Sequence, residues 1–340
     1  MKKVTIYDIA EQLNISTATV NRALNNKSQV SQKTRQRVLA KAEELGYSGN
    51  RAARSLARRM LQLDFVIYNR VPAFHNDVIA GARQAFAELQ DFNVHGHIYE
   101  IKGTEFSAHQ QILDTMQQLA DKQHHGLLLL GTFDTTGYRE AISRHRKADY
   151  AVALVNGELP DSDRLFAVRQ DDALAGRMAA ELLFRFCQPG PVAAFTGRPD
   201  SLGHRDSIRG FCNECESRGL QVAAVYENHD DPEFAAYNTE RLFREHPDVK
   251  GLYVNSANSV SVCKKLVELG LQGTVKLVTS DVFDELREFM RRDVVQATIF
   301  QDPYQQGYMA VQQMYRCLAE GEPSPDVIHI RPTVVLQSNM

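Results

Sequence analysis

Two groups of residues in this chain have side chains suited to recognition rather than to bond breaking. The first lies near the amino end. There Thr17, Ala18, Asn21 and Arg22 face outward from a short helical pattern that Ser16 caps and whose Val20, Ala23 and Leu24 point inward. Such a face fits a DNA major groove, although a partner-binding helix has the same pattern. The second group sits at the ends of apolar runs. Phe74 or His75 can cover a sugar face, while Asp134, Asn156, Arg205, Asn255, Asp281 and Gln301 supply planar donors and acceptors. A guanidinium spans vicinal hydroxyls with two donors, and a carboxylate grips them with two acceptors. The plainer reading is that Asn and Asp at strand ends close turns.

Bond-making chemistry finds less support. The eleven histidines show no H-E-x-x-H spacing, and there is no G-x-S-x-G, no P-loop and no complete G-x-G-x-x-G. Asp281 with Asp284 is a conceivable acid–base pair on a sugar, but no nucleophile accompanies it. Cys212-x-x-Cys215 falls inside a helix with no second pair and no nearby His, so neither metal nor redox use is expected. No catalytic residue, metal or cofactor is expected.

The elements that position the first group are three short helices. Thr5 caps the first, with Asp8 as its capping-box partner, and Ile9, Ala10 and Leu13 form its apolar stripe. Asn14-Ile15 turns the chain into the Ser16-capped helix. Ser31 caps a third helix, whose Val38, Leu39, Ala42 and Leu45 close a small core. Two short helices joined by a tight turn and packed on a third make a helix-turn-helix.

From Leu63 the pattern changes to short apolar strands alternating with amphipathic helices. Strands are predicted at Leu63–Tyr68, Val94–Tyr99, Gly126–Leu130, Tyr150–Val155, Val192–Phe195, Gln221–Tyr226, Gly251–Val254, Val275–Thr279 and Ala297–Phe300, with a further one at Val327–Thr333. Strand–helix alternation implies parallel sheets, here two, with Leu159–Leu165 as the crossing between them. Ligands of such folds sit beyond the carboxyl ends of the strands, where the second group lies.

Charge divides the chain at the same place. Up to Leu61 there are twelve Lys/Arg against four Asp/Glu, a net +8, while the remainder carries -11. A basic head on an acidic body suits a polyanion-binding module attached to something else. The 43% hydrophobic and 24% charged composition excludes disordered and low-complexity classes. No run approaches the roughly 18 apolar residues of a membrane span, and Met1-Lys2-Lys3 leads into polar sequence. With five cysteines spread through the chain, a cytoplasmic protein without signal peptide or membrane contact is expected.

Val4-Thr-Ile-Tyr-Asp-Ile-Ala10, Ser16-Thr-Ala-Thr-Val-Asn-Arg-Ala-Leu-Asn25, Val30-Ser-Gln-Lys-Thr-Arg35, Leu45-Gly-Tyr47 and Asn50-Arg-Ala-Ala-Arg-Ser-Leu56 together resemble the LacI/GalR family of bacterial transcription regulators. The resemblance implies Thr17, Ala18 and Arg22 as base readers, Arg22 by a bidentate contact to guanine. It implies backbone contacts from Thr5, Tyr7, Ser16, Thr19, Asn21, Asn25, Ser31, Thr34 and Asn50, with a departure at Asn21, where the family usually has Ser. It also implies a hinge helix from Asn50 to about Arg59, with Leu56 as a minor-groove wedge. Beyond the hinge, Gly210-Phe211 after Arg205 and Thr298-Ile-Phe-Gln-Asp-Pro-Tyr-Gln-Gln-Gly-Tyr308 resemble periplasmic sugar-binding proteins. That implies a sugar or polyol rather than a purine.

The expected fold is therefore α/β: a helix-turn-helix domain over residues 1–48, a hinge helix and linker over 49–61, and a two-lobed effector-binding and dimerisation domain over 62–340. Its N-lobe is expected at about 62–157 and 303–321, and its C-lobe at about 163–299 and 325–340. The expected function is a DNA-binding regulator, a repressor as most members of the resembled family are, controlled by a small carbohydrate or polyol. Its partners are double-stranded operator DNA and a second copy of itself, because a palindromic site needs two heads. A sugar-binding transport protein and a sugar-acting enzyme are the alternatives.

Overall fold

The computed structural model describes residues 4–24, 30–45, 60–122, 124–131, 136–147, 150–187 and 190–340. Asn25, Asn50, Leu56 and Asp134, and the expected hinge helix, lie outside the described residues. The chain forms two compact units, Met1–Met60 with Leu89–Asn93, and Leu61–Glu88 with Val94–Met340.

The first unit contains α1 (Ile6–Leu13), α2 (Thr17–Leu24) and α3 (Gln32–Glu44). Local sequence starts each helix. The Thr5 N–H donates to Asp8 Oδ2 at 2.6 Å, the Thr19 N–H to Ser16 Oγ at 3.1 Å and the Thr34 N–H to Ser31 Oγ at 3.2 Å. Asn14, with φ 50°, turns α1 off in the left-handed conformation that Asn tolerates. Ile9, Ala10, Val20, Ala23, Val38 and Ala42 make the core. Leu39 departs from expectation: it is 48% exposed, because Val38 and Ala42 already supply the inward stripe of α3.

The second unit holds two six-stranded sheets. The first has the order β11-β5-β4-β3-β1-β2, from β1 (Leu61–Tyr68), β2 (Val94–Ile101), β3 (Gly126–Leu130), β4 (Ala151–Val155), β5 (Phe166–Gln170) and β11 (Val327–Ile330). The second has the order β12-β10-β9-β8-β6-β7, from β6 (Val192–Thr196), β7 (Val222–Glu227), β8 (Gly251–Val254), β9 (Lys276–Ser280), β10 (Ala297–Phe300) and β12 (Thr333–Val335). All pairings are parallel except that of β10 with β12. β3, β4 and β6 are buried along their whole length, which is why they read as unbroken apolar runs.

Helices cover both sheets. α4 (Pro72–Leu89), α5 (Glu105–Ala120), α6 (Thr136–Lys147) and α12 (Pro303–Tyr315) belong to the first lobe. α7 (Asp172–Phe186), α8 (Leu202–Ser217), α9 (Pro232–Glu245), α10 (Ser259–Glu268) and α11 (Asp284–Arg291) belong to the second. α7 and α8 cross at backbone contact. A Cβ on Gly210 would lie 2.2 Å from the Ala173 carbonyl oxygen, and one on Gly176 would lie 1.9 Å from that of Ser207. Only glycine fits there.

Two boundaries differ from expectation. The chain stays in the first sheet through Gln170, so the first crossing lies at Asp171 and not over Leu159–Leu165. Val327–Thr333 is not one strand either. β11 pairs parallel with β5 and β12 antiparallel with β10, in different sheets. Pro332 between them has no N–H to carry a ladder onward.

Candidate functional site

In the helical unit, Tyr7 is 70% exposed. Ala18, Asn21 and Arg22 are exposed on α2, and Thr17 and Thr19 are half-buried. Thr5, Ser16, Ser31 and Thr34 cluster at helix starts, where backbone N–H groups also face outward and favour anions. The Ser16 and Thr19 hydroxyls bond each other at 2.9 Å and those of Ser31 and Thr34 at 2.8 Å, which fixes their orientation.

In the two-lobed unit, a cavity of about 430 Å³ opens between the carboxyl ends of the two sheets. Phe74, His75, Asn156, Arg205, Asn255, Asp281 and Gln301 all line it. Four of these follow strands as expected: Asn156 follows β4, Asn255 β8, Asp281 β9 and Gln301 β10. The other three are on the first turns of helices instead, Phe74 and His75 on α4 and Arg205 on α8.

A carboxamide chain links these residues. Gln301 Nε2 donates to Asp281 Oδ2 at 2.8 Å, and Asn156 Nδ2 donates to Gln301 Oε1 at 3.1 Å and to Gln306 Oε1 at 2.9 Å. Asn156 and Asp281 both have positive φ, 54° and 67°, which aims their side chains at this junction. His75 Nδ1 accepts from the Val71 N–H at 3.1 Å. Burial, and then Arg70, pulls its pKa down to about 4, so the ring is neutral with its proton on Nε2.

Several buried oxygens of the lining have no protein partner: Asp281 Oδ1, Asn255 Oδ1, Gln170 Oε1, Ser256 Oγ and Glu158 Oε2. Unpaired buried acceptors call for a donor from a bound molecule. A polyhydroxylated ligand offers several.

Residues 5–50 match the lacI family of bacterial regulatory proteins, and residues 63–323 match the periplasmic binding protein domain family. The chain belongs to the lacI family. Among curated relatives of this lacI-family regulator, the probable HTH-type transcriptional repressor ExuR of Bacillus subtilis (strain 168) is 26% identical, the match covering 86% of this chain and 98% of the relative. The ribose operon repressor of Escherichia coli (strain K12) is 25% identical over 90% of this chain and 91% of its own. Among solved structures, GanP, a glucose-galactose binding protein from Geobacillus stearothermophilus, superposes with a TM-score of 0.73. That match covers 83% of this chain and 99% of GanP at 22% identity, which shows a shared fold.

Sequence reasoning missed several charged groups of the regulator's cleft. Arg169 and Gln170 end β5, a strand not recognised. Arg169 Nη2 bonds Asp172 at 2.7 Å and Asp206 at 2.8 Å. Arg70 follows β1, whose expected end at Tyr68 could have flagged it. Glu158 is held by Arg164 at 2.6 Å.

The Asp284 side chain is fully exposed at the start of α11 while Asp281 is buried, so the two form no acid–base pair. Cys212 and Cys215 lie within α8 as free thiols, and burial pushes the Cys215 thiol up to about 12, away from reactivity. His124 and His125 lead into β3: His124 Nδ1 meets Asp64 Oδ2 at 2.7 Å, and His125 Nδ1 accepts from the Gln62 N–H at 3.1 Å. No group of three or more metal-ligating side chains occurs among the described residues. No described helix is long and apolar enough to cross a membrane.

Asp281 gives the regulator a pH signature. Burial raises its carboxyl from the ordinary 3.8 to about 7, against the pull of the Gln301 hydrogen bond. Between those pH values the folded protein holds a proton that the unfolded chain has released. Stability from this group is therefore full below about pH 4 and falls as pH rises toward 7. Without ligand, Asp281→Asn is expected to be more stable than the wild type above pH 7, and the difference should vanish toward pH 4. Urea midpoints across that range test it; a pH-independent difference would contradict the assignment.

Proposed function

We propose that this chain is a sequence-specific DNA-binding regulator whose operator affinity is controlled by a small carbohydrate or polyol bound between its two lobes. The observation that carries the reading is the pairing in one chain of an exposed α2 face, bearing Ala18 and Arg22, with a cleft rich in unpaired buried oxygens. A transport protein has use for the cleft but none for the basic head. The enzyme reading rested on Asp281 paired with Asp284, and the Asp284 side chain is exposed rather than part of the cleft lining.

In this reading Thr17, Ala18 and Arg22 contact bases, and Leu56 wedges the minor groove. Thr5, Tyr7, Ser16, Thr19, Asn21, Asn25, Ser31, Thr34 and Asn50 set register on phosphates. Phe74, His75, Asp134, Asn156, Arg205, Asn255, Asp281 and Gln301 surround the effector. The regulator acts in the cytoplasm as a homodimer, one head to each half-site. The effector works only through its differential affinity for two lobe arrangements, transmitted through the segment between residues 45 and 61.

A thermal-shift screen of sugars, polyols and sugar phosphates tests the reading. A ligand bound only by the folded state at a hundredfold excess over Kd stabilises it by about 2.7 kcal/mol. The same compound should change retention of an operator fragment in a gel shift. A compound that stabilises the protein but leaves the gel shift untouched, across the whole panel, would sink the regulatory half of the proposal.

A further inference from the structure

The order of the two sheets puts all three lobe crossings on one side of the cleft. β5, β11, β10 and β12, which the crossings join, lie at or beside one edge of their sheets, while β1–β2 and β6–β7 lie at the other. The loops after β1, β2, β6 and β7 therefore form the rim farthest from the crossings, where any opening motion is largest.

Each of those loops contributes a charge that reaches across the cleft. The first lobe supplies Arg70 after β1 and Glu105 at the start of α5. The second supplies Arg198 after β6 and Asp230 after β7. Arg70 Nη2 donates to Asp230 Oδ2 at 2.6 Å across the cleft, and Arg198 Nη1 donates to Glu105 Oε1 in the opposite sense. Arg70 Nη1 lies 3.8 Å from Glu105 Oε2, which joins the two bridges. Asp200 holds the Arg198 guanidinium from its own lobe, at 2.9 Å from Nε and 2.6 Å from Nη2. Asp230 is 8% exposed and Arg70 29%, so their pair is partly shielded from solvent and escapes much of the screening that weakens surface pairs, while the Arg198–Glu105 pair is more open on its Glu105 side.

Each lobe thus brings one cation and one anion that pair across the cleft, with Asp200 engaged inside its own lobe, and closure alternates the signs. We propose that Arg70, Glu105, Arg198 and Asp230 form an interlobe clasp that holds the cleft closed without effector, so that entry and exit of the effector require the clasp to break. The clasp sets the closure equilibrium on which the effector acts, and it does so whatever that effector is.

The test measures lobe separation in the full-length, sugar-free protein. Spin labels carried by unnatural amino acids at Gln118 and Glu240, both exposed and on helices α5 and α9 of opposite lobes, report the distance by double electron–electron resonance, with labelled protein diluted in unlabelled protein. The wild type should show a short interlobe distance. Glu105→Gln and Asp230→Asn each remove one bridge and should shift the distribution to longer separations, and the double variant should shift it furthest. Glu105 is 41% exposed, so its glutamine variant keeps the test available if the Asp230 variant folds poorly. Identical distributions in wild type and variants would overturn the clasp. The measurement involves no sugar, so it succeeds or fails independently of the effector assignment.

Discussion

Arg205→Ala and Asp281→Ala should each bind operator DNA nearly as the wild type does, yet show no change in that binding when sugar is added. Arg205 stands on the first turn of α8 with its side chain exposed in the cleft, and it makes no ion pair among the described residues. Asp281 offers the cleft a buried oxygen with no protein partner. Each is thus free to engage ligand hydroxyls. Removing either strands the opposing polar groups, at a cost on the order of 1–3 kcal/mol, or about tenfold to more than a hundredfold in Kd. Calorimetry gives the affinity and gel shifts give the operator binding. Full sugar affinity in both variants would place the ligand elsewhere. Loss of fold and of DNA binding together would instead make these residues supports of the second lobe.

Arg22→Ala should reduce discrimination among operator variants more than it reduces binding to random DNA. Its side chain is exposed on α2, two residues beyond the buried Val20 that seats the helix on its core. A guanidinium paired with a guanine edge contributes roughly 1–3 kcal/mol of discrimination, whereas phosphate contacts act on all sequences alike. Gel shifts with selected and scrambled sites at fixed salt separate the two effects. An unchanged ratio of affinities would remove α2 as the reading element.

What was legible in the sequence was what local physics decides. The starts of α1, α2 and α3 are set by partners three residues apart, Thr5 with Asp8, Ser16 with Thr19 and Ser31 with Thr34, so a linear reading finds them. The fully buried strands announce themselves as apolar runs. β5 does not, because Arg169 and Gln170 are tolerated there only through Asp172 and Asp206, and Asp206 is distant in sequence. The clasp was invisible for the same reason: Arg70 and Asp230 are 160 residues apart. Four candidate effector residues, Asn156, Asn255, Asp281 and Gln301, line the cleft because strand ends converge in this architecture. The helix-borne positions of Phe74, His75 and Arg205 needed the three-dimensional structure.

The threefold crossing of the chain between lobes also governs how the protein is made. The first lobe's sheet is incomplete until β11 at Val327–Ile330 joins β5, and the second waits for β12 at Thr333–Val335 to join β10. Neither lobe can complete its sheet on the ribosome before Ile330 and Val335, respectively, have emerged. The helical core drawn from Ile9 to Ala42 closes on contacts within its own short stretch. Folding of the two units is therefore separated in time: early for the head and later for the body, whose sheet edges stay open in the interval. Supply of working regulator is then limited by the lobes, and the aggregation hazard of the nascent chain is concentrated at the unpaired edges of β5 and β10.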